Sequence, residues 1–205
     1  MRTLVFAILF MLLIGVVVAN AQSSLERGVI EEMNLARTNP RVYADYVREY
    51  RNLYKGSYIY LPGSNVRIAT SEGPGAVNEA LRFLLRQKPI TPLQPSSGLA
   101  EAAADLVEDQ SSSGDTGHNG RVSGSMNNRI DRHGSWQGSI GENISYGYDD
   151  ARLVVIQLIV DDGVRGRGHR KNIFNPAFRR AGVACGPHAE YGAMCVIDYA
   201  GGFSR

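Results

Sequence analysis

The sequence predicts an α+β layered domain, and three observations carry that reading. Apolar residues recur at helical spacing through most of the chain up to residue 113. Two apolar, strand-like runs over residues 181–185 and 193–200 end it, each holding one cysteine. Between these regions lies a polar, glycine-rich stretch over residues 114–139 with no sustained periodicity.

The elements follow in order. Ser23-Ser24-Leu25-Glu26 has the form of a capping box, and Leu25, Val29, Ile30 and Met33 continue at helical spacing, so a first helix is predicted to about Thr38. Asn39-Pro40 reads as an N-cap followed by proline at the first helical position. The stripe of Val42, Tyr43, Tyr46, Val47 and Tyr50 then gives a second helix. Residues 51–75, rich in Gly, Ser, Tyr and Pro, read as an irregular excursion. With the third helix over 76–87, they make 51–90 an insertion-like segment. Three prolines in residues 88–95 extend the chain, Ser97 caps a fourth helix, and Gly114 ends it. Ile140 to Tyr146 is a candidate strand. Asp149 and Asp150 open an apolar helix over 151–162 that Gly163 closes.

The N-terminus bears on compartment. Arg2 precedes an uncharged run over residues 4–18, and Ala19-Asn20-Ala21 supplies the small residues of a cleavage site. The run is about 15 residues, short of the ~20 that a spanning helix needs. A signal peptide over 1–21 and one exported domain over 22–205 are therefore expected, secreted or periplasmic, with a retained anchor as the competing reading. No later stretch is long and apolar enough to cross a membrane. The formal net charge of +2 gives no support for nucleic-acid binding. Cys185 and Cys195, the two cysteines, read as a disulfide across a hairpin centred near Glu190. Their spacing excludes a C-x-x-C metal or redox site.

Four polar residues stand beside glycines or at element ends, where side chains project into clefts: His118, Glu142, Asp161 and His169. Asp161 and Asp162 close an apolar helix, where the helix dipole disfavours carboxylates by ~0.3–1 kcal/mol each. They need a partner. Ion pairs with Arg165, Arg167 or Arg170 would supply one, and so would a site holding histidines or a cation.

These residues stand in an order that resembles the CAP superfamily of secreted cysteine-rich and pathogenesis-related proteins. The resemblance rests on Gly117-His118-Asn119, Gly141-Glu142-Asn143-Ile144 and Gly168-His169-Arg170-Lys171-Asn172-Ile173, with Asn34-Leu35-Ala36-Arg37 matching the N-x-x-R of the family's first helix. The last motif is closest to compact, bacterial-type members. The resemblance covers about residues 25–50 and 90–203, and it implies a three-layer α-β-α sandwich with a short antiparallel sheet. It also implies a cleft lined by His118, Glu142, Asp161 (with Asp162 as its alternative) and His169. Two departures are plain: Asp161 stands where the family usually has the Glu of a W-x-x-E motif, and residues 51–90 have no evident counterpart.

Such a cleft implies a divalent cation, zinc or another, weakly held by His118 and His169, because a firm zinc site takes three or four protein ligands. Two functions fit. One is a binding module for an extracellular ligand or partner: a lipid, glycan or peptide. The other is a metal-dependent hydrolase or peptidase, with Glu142 as general base and Asp161 orienting water. A third reading leaves the polar groups merely bracing the fold. Ser139 and Ser145 lie in no nucleophile motif, so serine-protease chemistry has no support.

Overall fold

The computed structural model describes residues 23–63 and 65–205; the expected signal peptide lies outside them. Helix α1 (Ser24–Thr38) starts as anticipated: the Glu26 amide donates to the Ser23 hydroxyl and the Ser23 amide to the Glu26 carboxylate. Its apolar face buries Val29, Ile30, Met33 and Ala36. Helix α2 (Pro40–Arg51) has Pro40 in its first turn, but the Asn39 side chain caps nothing and donates to Thr38 instead.

The segment expected to be irregular is organised. Strands β1 (Tyr54–Lys55), β2 (Tyr58–Tyr60) and β3 (Arg67–Ala69) form a small antiparallel sheet with Tyr54 opposite Ile59 and Ile59 opposite Ile68. Strands of two or three residues are too short to show alternation in sequence. Helix α3 (Pro74–Arg86) follows, opened by Gly73 at φ 58° and by proline in its first turn. Strand β4 (Gln94–Pro95) leads to α4 (Ser97–Ser113), whose cap is Ser96 rather than Ser97 and whose end is Gly114 in the left-handed region.

The polar stretch contains a helix that was not anticipated, α5 (Met126–His133), capped by Ser125. Its one fully buried apolar residue, Ile130, leaves no stripe to read. Strand β5 (Ser135–Tyr146) is longer than expected. Helix α6 (Ala151–Val160) is capped by Asp150, which accepts from Leu153, and ends on Asp161 itself rather than on Gly163. A short helix α7 (Gly168–Ile173) precedes the hairpin of β6 (Arg180–His188) and β7 (Gly192–Ser204).

The main sheet has the order β4-β6-β7-β5, antiparallel except for the β4–β6 edge, so β5 is an outer strand. Alternation along β7 sorts its two faces. Cys195, Ile197 and Tyr199 join the core made with α1, α2, α3 and α6, whereas Met194 and Val196 pack with Ala103, Leu106 and Val107 of α4. The result is the three-layer α-β-α sandwich. Contact between α4 and β6 is close enough that a Cβ on Gly182 would stand 2.0 Å from the Ala100 nitrogen. Cys185 and Cys195 face each other in register and are bonded.

Arg37, fully buried, ties the layers together. It donates to the carbonyls of Thr91 (2.9 Å), Ile173 (2.6 Å), Asn175 (3.1 Å) and Phe178 (3.0 Å). One helix turn before it, Asn34 exchanges two hydrogen bonds with the Leu93 backbone. Burial lowers the Arg37 pKa to about 10, which leaves it charged at neutral pH.

Arg37→Leu, which strands four carbonyls, should cost about 3 kcal/mol or more in urea unfolding; a loss below ~1 kcal/mol would show that the carbonyls find other donors. Replacing both cysteines by alanine should cost about 2–3 kcal/mol, as expected for closing a short loop, and unchanged stability would mean that the hairpin is equally constrained without the bond.

Candidate functional site

Two histidine–carboxylate pairs lie along the outer strand. Glu142, in the middle of β5, is buried on the α4/α5 face, and its Oε1 meets His118 Nδ1 at 2.7 Å. Asp161, at the end of α6, is buried as well, and its Oδ1 meets His169 Nδ1 at 2.6 Å. Asparagines join the pairs. Asn143, the neighbour of Glu142 on β5, donates to the His169 carbonyl (3.1 Å), while Asn172 donates to the Glu142 carbonyl (3.1 Å) and to Asn143 Oδ1 (2.9 Å). The four residues singled out in sequence therefore form two pairs joined by a shared hydrogen-bond network.

Local structure explains each placement. Asp161 takes φ 58°, a left-handed conformation that Asp tolerates better than most residues. There its Oδ2 accepts from the backbone amides of His169 (2.9 Å) and Arg170 (3.4 Å). These donors and the His169 ring meet the need for a partner at the helix end. Arg167 and Arg170 pair with Glu79, and Arg167 also with Glu72, rather than with the two aspartates. Arg170 further covers the end of α6 by donating to the Ile159 and Val160 carbonyls, which the helix leaves unpaired. Asp162 points elsewhere and accepts from the Ser71 and Glu72 amides.

The His118 loop is held from beneath. Gln110 donates to the Gly117 carbonyl (2.8 Å), and the Gly117 amide donates to the Tyr146 hydroxyl (3.0 Å), which itself donates to Gln110. Arg129 of α5, fully buried, donates to Glu142 Oε2 (2.5 Å) and to the carbonyls of His118 (3.2 Å) and Gly124 (2.6 Å). One guanidinium thus fixes both members of the first pair. Sequence reasoning missed Arg129, because it sits in a polar octapeptide without a motif.

Asp198 was missed too. It lies opposite Glu142 in the β5–β7 register, is fully buried, and neither carboxylate oxygen has a hydrogen-bond partner among the described residues. Burial first, then the negative charge of Glu142, raise its carboxyl well above the usual range, and Arg129 offsets part of that. The hairpin sets the register that brings it there, and no local pattern announces it.

Chemically, each carboxylate engages Nδ1 of its histidine and leaves Nε2 as the ring nitrogen available to a ligand. This is how carboxylates orient imidazoles towards metals or substrates. Among the described residues no three His, Cys, Asp or Glu side chains converge as a metal-binding set.

A layered α-β-α domain with two histidine–carboxylate pairs at its sheet edge defines a CAP-type domain. The chain belongs to this family: the model described as "CAP: Cysteine-rich secretory protein family" matches residues 33–199. Among solved structures, an extracellular protein containing an SCP domain from Bacillus anthracis is similar at 20% identity and a TM-score of 0.46, with 60% of this chain and 39% of that one covered. An outer surface protein from Borrelia burgdorferi is similar at 14% identity and a TM-score of 0.46, over 60% of this chain and 86% of that one. A cysteine-rich secretory protein from Staphylococcus aureus shows 16% identity and a TM-score of 0.40, over 66% and 41%. No match is found among curated proteins. Among the described residues no helix is long and apolar enough to cross a membrane.

The raised carboxyl of Asp198 sets a pH dependence. Its protonated form favours the fold, so its contribution is full below the ordinary value of 3.8 and is lost as pH rises towards the raised folded value. Asp198→Asn keeps the shape without the charge, so the variant should gain Tm relative to the wild type as pH rises from 4 to 8. Parallel Tm profiles would show that Asp198 does not titrate in this way.

Proposed function

We propose that this chain is an exported CAP-domain binding protein whose β5 edge takes an extracellular ligand, with a weakly held divalent cation as part of the site. The observation that carries this reading is the pairing of His118 with Glu142 and of His169 with Asp161 through Nδ1. His118 remains half exposed and His169 a quarter exposed, while both carboxylates are buried, so the rings are the groups that an incoming ligand meets.

The donor set fits a cation only in part. His118 and His169 would hold it, water would complete its shell, and the carboxylates at Nδ1 would fix the orientation of the rings. A bound cation of this kind polarises a ligand oxygen or lowers the pKa of a bound water. Hydrolysis is the weaker reading, because Glu142 is already engaged by both His118 and Arg129 and is poorly placed to take a proton from water. Export rests on the N-terminal pattern and on family membership.

Calorimetric titration of zinc into residues 22–205 tests the cation. Heat from one weak site, absent in the His118→Ala/His169→Ala double variant, is expected. No heat at millimolar zinc, or binding that survives in the variant, would remove the cation from the proposal.

A further inference from the structure

Basic residues gather between α3 and the loop that joins α6 to α7. Two adjoining surface clefts, of about 660 and 320 Å³, share Glu79, Phe83 and Arg170. The first is also lined by Glu72, Arg165, Arg167 and Lys171, and the second by Arg82 and Arg86 of α3. Six cations thus face two acids here, in a chain whose formal net charge is only +2.

Two of the six are already committed. Arg167 donates to Glu72 and Glu79, and Arg170 donates to Glu79. Hydrogen bonds from Arg167 foremost hold both carboxylates well below their ordinary pKa, so both stay ionised. Arg82, Arg86, Arg165 and Lys171 are different. All four are exposed, and among the described residues their side chains have neither an ion pair nor a hydrogen bond. Charges of one sign gathered in a cleft focus the field and concentrate the opposite ion there.

The lining chooses among polyanions. A membrane surface is gripped by cations together with exposed apolar anchors, and none of the exposed large apolar residues among those described lines either cleft. Single-stranded nucleic acid stacks its bases on open aromatic rings. Phe83, the one ring in the lining, is already engaged by the Arg170 guanidinium at 5.4 Å and by Phe174 edge-on at 5.0 Å. The two acids add a further condition. Glu72 and Glu79 keep 40% and 42% of their side chains exposed, so they offer acceptors to an incoming chain. Phosphates and acidic side chains are acceptors only, whereas sugar hydroxyls also donate.

We infer that these joined clefts bind a linear acidic polysaccharide. Its acid groups meet Arg82, Arg86, Arg165 and Lys171, with guanidinium forks taking two oxygens of one group. Its hydroxyls donate to Glu72 and Glu79. Carboxylated and sulfated sugar chains share this chemistry. Val164 lines both the first cleft and the cavity that holds Asp161 and His169, so the loop stands between the two. The inference goes beyond the β5-edge site and shares with that reading only the export of the chain.

Binding of residues 22–205 to immobilised polygalacturonate and dextran sulfate, with uncharged dextran as the blank, tests the inference. Binding to at least one acidic chain and none to dextran is expected. It should weaken as salt rises from ~0.1 to ~1 M and the screening length falls from about 10 to 3 Å. Arg82→Glu/Arg86→Glu and Arg165→Glu/Lys171→Glu should each weaken it at least about tenfold, the contribution of a few exposed charge contacts. Tm should stay near that of the wild type, because these side chains hold no partner. Lys55→Glu/Arg67→Glu makes the same charge change on exposed residues outside the clefts and should bind as the wild type does. An equal loss there would reduce the effect to net charge and overturn the inference. Tighter binding of polyphosphate, poly-glutamate, oligo(dT) or anionic vesicles also overturns it, as does no binding to either acidic polysaccharide. His118→Ala/His169→Ala should bind polysaccharide as the wild type does, so failure of the zinc site leaves the clefts standing. A loss in that variant would place the polysaccharide at the β5 edge, against the inference.

Discussion

The placement of two segments that flank the sheet depends on Arg37. A buried guanidinium is costly to desolvate, and it is tolerated where its donors meet acceptors that nothing else can satisfy. Here the acceptors are Thr91, before β4, and Ile173, Asn175 and Phe178, from the last residue of α7 into the irregular stretch that leads to β6. Irregular backbone cannot satisfy its own carbonyls as a helix or sheet does, so α1 reaches across and does it for them. The second of those segments begins where α7 ends, and α7 carries His169. The position of His169 is therefore inherited in part from a helix whose apolar face looks like ordinary core packing.

From that frame, the site is assembled on both faces of one strand. Alternation along β5 sends Glu142 towards α5 and Asn143 towards α7. Each face delivers one imidazole oriented by a buried carboxylate. Glu142 is further restrained by Arg129, and Asp161 by two backbone amides. A carboxylate with this many donors is a fixed post rather than a mobile base, which under the proposed function favours recognition over proton transfer.

Much of this was legible in the sequence, for identifiable reasons. Helices α1, α2 and α4 bury stripes long enough to show their period, Ser23 with Glu26 marked the first start, and α6 showed as a nearly unbroken apolar run behind its capping aspartate. The hairpin was readable because its two cysteines fall opposite each other. Helix α5 was hidden because it buries Arg129 beside Ile130, and a buried charge reads as a surface residue. Strands β1 to β3 were too short to read. His118, Glu142 and His169 stood out through glycine-flanked motifs in a familiar order and Asp161 as an acid at the end of an apolar helix, whereas Arg129, Asp198 and Gln110 act only through tertiary approach. Nothing near Asp198 in the chain says that Glu142 lies across from it.

The outer position of β5 has one more consequence. An open strand edge invites pairing with another chain, and natural proteins guard against this with covers, charges or irregularities. Here the Glu142 and Tyr146 carbonyls take side-chain donors from Asn172 and Gln157, and the register slips between Gln137 and Ile140. Asn172, which also bonds Asn143 between the two histidine–carboxylate pairs, thereby also occupies part of the open edge. A change at Asn172 would therefore expose an edge acceptor as well as loosen the network that joins the two pairs.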